Sequence, residues 1–346
     1  MDIAFILLVI TVLLVLVFDF TNGFHDSADM IATCIASRAM KPGMAVLIVT
    51  VFTFLGPFIG GLAVADTVGQ FVTIHGQPPL FAESVILAAI LAAIFYNLIT
   101  WKLGLPTSSS NSLVGGLVGS GIYAMGSSSV NWGFSALMQG HISGVVKIII
   151  GLFFSPLAGF VGGFLLMSIF LKLFRRLSFQ SRKFFVISQY ITTAGLGFTH
   201  GTNDAQKGMG IIGMLLFAGG YYQTFTIPDW VIILCASSIT MGTLFGGWSI
   251  IKTMGFGIYK IRNIHSVADQ IGSALVISAA TAIGAPASTT QVVTSTLLGV
   301  GSREKPRHVH WYTALSIVKG WLFNLPISAA IGAFFTMIFM YLWGTP

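Results

Sequence analysis

Asn22-Gly23-Phe24-His25-Asp26-Ser27-Ala28-Asp29 and His200-Gly201-Thr202-Asn203-Asp204-Ala205-Gln206-Lys207 are two versions of one phrase, set about half a chain apart. Each lies within sequence so apolar that a carboxylate has no ordinary place there. Ile3 to Phe20 leads into the first phrase, and Gly208 to Leu216 follows the second. An ionised carboxylate at mid-helix in a bilayer costs about 2.5–3.5 kcal/mol on translocon scales, so Asp26 and Asp204 are expected to line a hydrated cavity or a cation site. A buried Asp that merely caps a helix end is the plainer alternative.

Three further matches follow in the same order. Gly104-Leu105-Pro106-Thr107-Ser108-Ser109-Ser110-Asn111 returns as Gly284-Ala285-Pro286-Ala287-Ser288-Thr289-Thr290-Gln291. Val146-Lys147 before Pro156 is echoed by Val318-Lys319 before Pro326, and Gly60-Gly61 by Gly246-Gly247. One match can be chance; an ordered series at near-constant offset is an internal duplication.

Composition sets the solvent. Hydrophobic residues make up 55% of the chain and charged residues 8%, against roughly 25% charged in soluble domains, and the mean hydropathy is +0.89. Too few polar side chains exist to cover a globule in water. The apolar runs have the length of helices, about 20 residues, rather than of barrel strands. Ile3–Phe20 lacks a basic leader and a cleavage site, so it reads as a membrane helix and not a signal peptide. Cys34 and Cys235 sit in apolar surroundings and read as structural thiols.

The net charge of +7 is distributed by loop. Arg38/Lys41, Lys172 to Lys183, Lys252 to Arg262 and Arg303 to Arg307 are basic, whereas Asp66–Glu83, Gly126–Ser143 and Gly219–Asp229 contain no Lys or Arg. That alternation is the positive-inside pattern and argues for a lipid bilayer, with no nucleic acid as partner.

With the basic loops in the cytoplasm, the first half crosses as Ile3 to Arg38, Met44–Val64, Ser84–Trp101, Pro106–Met125 and Ser143–Phe174. The second follows as Phe184 through its motif, Trp230–Ile251, Ser266–Ile283, Pro286–Val300 and Tyr312–Trp343. An odd number of crossings per half makes the repeats inverted. The expectation is an all-α integral membrane protein of about ten transmembrane segments, with broken or re-entrant helices and both termini outside. Its parts are a first repeat at 1–174, a basic cytoplasmic linker at 175–183 and a second repeat at 184–346. Gly23 and Gly201 are expected to break their helices and free backbone carbonyls.

Carbonyls, a carboxylate and an Asn amide are the donors of a Na⁺ site, so Na⁺ is expected at Asp26, Asn203 and Asp204, with no resident metal or other cofactor. Asn22, His25, Asp29 and His200 complete the coupling-cation set. The same acids can instead carry H⁺, and the histidines suit hydrogen bonding or proton transfer better than transition-metal binding. Ser108, Ser109, Ser110, Ser288, Thr289 and Thr290 follow prolines at helix starts, where unpaired N–H groups and the dipole favour an oxyanion. Simple helix capping is the alternative for each cluster alone. Asn111, Gln291, Gln206 and Lys207 are supporting donors, and Lys207 either attracts the anion or neutralises Asp29 or Asp204.

Gly201-Thr202-Asn203-Asp204 with Ala205-Gln206-Lys207, Asn22-Gly23-Phe24-His25-Asp26, and the two Pro-x-Ser-Ser/Thr-Ser/Thr elements resemble the PiT-type inorganic phosphate transporters of bacteria, essentially over the whole chain. Asp29 departs from the Asn usual at its place in that family. The resemblance implies a Na⁺- or H⁺-coupled phosphate symporter of the bacterial inner membrane, working by alternating access and not an enzyme. Inward movement of an anion against an inside-negative potential costs about 2.3 kcal/mol per charge per 100 mV, which accompanying cations, or a metal–phosphate complex, must offset. Symport of sulfate or another oxyanion, a passive anion channel and a membrane metal hydrolase stand as alternatives. A homodimer remains open.

Overall fold

The computed structural model describes residues 3–72, 74, 76–175 and 181–343; part of the predicted linker, 176–180, lies outside the described residues. Thirteen α-helices account for the architecture among them. The first half contains α1 (Ile3–Ala36), α2 (Pro42–Ile59), α3 (Ala63–Gly69), α4 (Pro79–Lys102), α5 (Ser109–Met125), α6 (Phe134–Met138) and α7 (Gly144–Leu173). The second contains α8 (Ser181–Ala218), α9 (Asp229–Phe245), α10 (Trp248–Phe256), α11 (Asn263–Ala282), α12 (Thr289–Glu304) and α13 (Trp311–Trp343).

Helices α1, α2, α4, α7 and α13 are each long and apolar enough to cross a membrane. Helix α9 and most of α10 reach the same length and hydropathy only when taken together, as a pair bent by 70° at the break between them. The outer helices carry exposed apolar side chains at helical spacing, such as Leu47, Val51, Leu55 and Phe58 on α2 and Phe153, Leu157, Val161 and Leu165 on α7. Those faces meet lipid. Helix α8 exposes apolar side chains only in its first turns, at Phe184, Ile187 and Ile191; beyond them it is packed among α1, α2, α3, α9 and α11, which leaves room for its polar residues.

The halves are interleaved. Helix α2 packs on α8 and α9 on α1; α13 packs on α5 and α7 on α12. Each contact joins one half to the other, and each has its counterpart with the halves exchanged. Direction is visible in the apolar clusters. Val15 and Phe18 from early α1 join Ala205 and Met209 from late α8 in one cluster, with Phe71 and Leu117. Met30, Ile31 and Cys34 from late α1 join Leu196 from early α8 in another, with Met254 and Val293. The duplicated helices therefore run in opposite senses between two apolar layers.

One expectation is corrected. Helices α1 and α8 run unbroken through Gly23 and Gly201. These glycines serve close approach instead: a Cβ at Gly23 would fall 2.0 Å from the Ile239 carbonyl oxygen of α9, and one at Gly201 2.1 Å from that of Thr53 on α2. Interruptions occur elsewhere, at Gly60-Gly61, at Gly246-Gly247 and in the two Gly-x-Pro segments. Gly104 and Gly284 adopt φ of 66° and 68°, left-handed conformations that suit glycine. They turn the chain from α4 into α5 and from α11 into α12, so α5 and α12 start beside the buried acids. Cys34 and Cys235 are free and buried.

Candidate functional site

The two acid phrases meet in a buried polar layer between the apolar clusters. Asp26, His200 and Asp204 each place a ligand atom within 4.8 Å of the others, as do His25, Asp26 and Asp29. All five are buried. Both sets are candidate cation ligands, supplied by α1 and α8.

The hydroxyl segments close on this layer from α5 and α12, with a division of labour inside each. Ser108 and Ser288 are N-caps: Asn111 N donates to Ser108 Oγ (3.1 Å) and Gln291 N to Ser288 Oγ (3.3 Å). The prolines precede these caps and stand outside the first helical turn. The next residues face the acids. Thr289 donates to Asp204 Oδ2 (2.7 Å) and lies 3.2 Å from His200 Nδ1. Its counterpart Ser109 donates to Asn22 Oδ1 (2.6 Å), and Asn22 Nδ2 donates to Asp204 Oδ1 (3.4 Å). Thr290 Oγ1 lies 2.8 Å from Asp26 Oδ1 and 2.6 Å from Asp29 Oδ2. Ser110 accepts from Lys207 Nζ (2.5 Å) and itself donates to the Ala287 carbonyl (3.1 Å).

Asp204 carries the densest coordination: the Lys207 ammonium, Thr289, Asn22 and His200 Nδ1 at 3.1 Å all converge on its carboxylate. Asp26 meets His25 Nδ1 at 3.4 Å, while Asp29 Oδ1 has no hydrogen-bond partner among the described residues.

Several predicted residues are turned away from this layer. Asn203 holds the approach to α12, donating to Thr281 Oγ1 (2.8 Å) and accepting from Ala287 N (3.1 Å). Gln206 pins α3, its Oε1 accepting from Val64 N (2.8 Å) and Ala65 N (3.1 Å). Asn111 and Gln291 line a different cavity of about 460 Å³ with Leu152, Pro156 and Trp321. One position was missed by sequence reasoning. Asp19 is fully buried near Lys207 and Asp204, and neither of its carboxylate oxygens has a hydrogen-bond partner among the described residues; it lies two helical turns before Asp26, a spacing that would have placed both on one face of α1.

The basic loops converge at one end. Arg38, Lys260, Arg262 and Arg307 share the wall of a cavity of about 1230 Å³, beside the cluster that holds late α1. Glu304 anchors this rim, paired with Arg262 and, at 2.7 Å, with His265. Burial, then the neighbouring Glu304 carboxylate, raises the Tyr259 phenol above its usual range, so it stays protonated and donates to Glu304 Oε2 (2.8 Å). Two of the three lysine- and arginine-free loops pair with each other, through a bridge between Val72 and Val130.

The sequence profile of the phosphate transporter family matches residues 22–332, which takes in both acid phrases and both hydroxyl segments. The chain belongs to the phosphate transporter family. Two relatives, both named as probable low-affinity inorganic phosphate transporters, are 40% identical. That of Bacillus subtilis (strain 168) is matched over 96% of this chain and 97% of its own. That of Rhizobium meliloti (strain 1021) is matched over 95% and 96%. A solved structure titled the sodium-dependent phosphate transporter superposes with a TM-score of 0.80 at 23% identity, covering 97% of this chain and 99% of the other. The likeness extends the family assignment to the all-helical, multi-pass membrane fold.

Proposed function

We propose that the protein is a secondary symporter that moves inorganic phosphate across a bacterial inner membrane together with Na⁺ or H⁺. One observation carries this reading: acids from α1 and α8 meet hydroxyls at the first turn of α12, and Asn22 and Lys207 beside those acids meet the hydroxyls of α5, in a single buried layer between apolar clusters. Helix geometry leaves the first N–H groups of α5 and α12 without intrahelical acceptors, and the dipole there favours an anion. Neutral hydroxyls and amides suit an oxyanion that must also leave. The carboxylates repel phosphate unless cations join them, so anion and cation occupancy are coupled by simple electrostatics.

Movement follows from the same plan. The polar layer lies between two apolar plugs that exchange roles under the inverted repeat, so loosening one while the other stays packed opens the site to one face at a time. The basic rim at Arg38, Lys260, Arg262 and Arg307 is assigned to the cytoplasmic side by the positive-inside rule, and both termini to the outside.

The Asp204→Asn variant tests this. It is expected to fold and reach the membrane but to lose accumulation of radiolabelled phosphate against its gradient. Accumulation equal to the parent protein would overturn the reading.

A further inference from the structure

The two halves of the site differ by one charge exchange, and the geometry assigns it a purpose. Asp29 and Lys207 hold matching places, each three residues after the motif aspartate. Each also meets the matching hydroxyl: Asp29 Oδ2 is 2.6 Å from Thr290, and Lys207 Nζ is 2.5 Å from Ser110. The duplicated framework is thus preserved around opposite charges.

At Lys207 every requirement is met internally. Its ammonium has three N–H donors and finds three oxygens: the Asp204 carboxylate, Ser110 Oγ and the Ala287 carbonyl at 3.1 Å. A carboxylate, a hydroxyl and a backbone carbonyl are the donor set of a small cation site. Here the chain's own buried side chain fills it.

At Asp29 the count fails. Thr290 has a single hydroxyl proton, yet it faces Asp26 Oδ1 and Asp29 Oδ2 at once. Asp29 Oδ1 has no hydrogen-bond partner among the described residues. Asp26 also has the His25 ring at 3.4 Å, but no Lys or Arg pairs with either acid among the described residues, and an entering cation or proton would supply that charge.

We propose that Lys207 is a resident cation, occupying in the α8 copy the place that a mobile monovalent cation takes at Asp26, Asp29 and Thr290 in the α1 copy. This rests on the cation-coupled reading above and deepens it. A protein built this way brings one cation of its own and needs one fewer from solution for each phosphate. The asymmetry between halves then sets stoichiometry, while their shared framework preserves the anion site.

The test removes the ammonium and offers a free one. Lys207→Ala is reconstituted into liposomes in N-methylglucamine medium, and phosphate uptake is followed as Na⁺ or methylammonium is added. Uptake without added small cation is expected to fall about ten- to a hundredfold, the scale of one lost charge-assisted contact. Added small cation should restore it, with a dependence steeper by one ion than in the parent. Because the variant can lose transport for other reasons, equilibrium binding of ²²Na⁺ to purified Lys207→Ala and Lys207→Gln is counted as well. One more Na⁺ per chain than the parent supports a resident cation. Equal counts, or uptake with the parent's cation dependence, overturn it. Parent protein that accumulates no phosphate under any gradient would refute the symport reading, while the binding count still judges Lys207.

Discussion

Gly23 of α1 lies against the main chain at Ile239 of α9, so closely that a Cβ would stand 2.0 Å from the carbonyl oxygen. Gly201 repeats this contact against Thr53 of α2, with the halves exchanged. Helices with no hydrophobic drive to associate in lipid gain from such backbone proximity. Each acid is three residues beyond its glycine, so these contacts hold the stretches of α1 and α8 that carry Asp26 and Asp204 against α9 and α2.

Gly23→Val and Gly201→Val should therefore each destabilise the purified protein by about 1–3 kcal/mol, the usual cost of overpacking. The check is thermal unfolding in detergent, where both variants should unfold below the parent. An unchanged transition in either would contradict the assigned contact.

The hydroxyls should separate into two phenotypes. Ser108→Ala and Ser288→Ala remove caps and are expected to cost about 1 kcal/mol of stability, with the KM for phosphate little changed. Ser109→Ala and Thr289→Ala remove contacts to Asn22 and Asp204 and should raise KM with a smaller effect on unfolding. Uptake kinetics set beside melting curves distinguish the pairs, and the reverse pattern would show the roles misassigned.

Gln206→Ala should behave as a stability variant. Its carbonyl accepts from both Val64 N and Ala65 N, and leaving buried donors unpaired costs about 1–3 kcal/mol. Lower thermal stability with near-parent KM is expected. A large rise in KM at normal stability would return Gln206 to the anion site.

Much of this was legible because duplication repeats whatever is needed twice. The acid phrases, the hydroxyl segments and the Gly-Gly interruptions all stood out by recurrence, and odd crossings with alternating basic loops implied inversion. Side-chain direction was not legible. Asn203 and Gln206 flank Asp204 in sequence, but the turn of α8 points them at Ala287 and at α3. Asn111 and Gln291 sit one residue past the site-facing hydroxyls, and helical rotation carries them to another cavity. The motif glycines misled for a physical reason: glycine both breaks helices and permits close packing, and only the neighbouring helix decides which. Asp19 escaped notice because it has no counterpart in the second half.

Accumulation by the parent protein in liposomes tests the central claim most directly. Radiolabelled phosphate is supplied outside while a Na⁺ gradient, a pH gradient and neither are imposed in turn at clamped voltage. Joint binding of anion and cation in one sealed layer predicts that at least one gradient drives phosphate above its external concentration, and that flux only equilibrates when both are absent. Equilibration alone under every gradient would contradict the account and leave a passive pore.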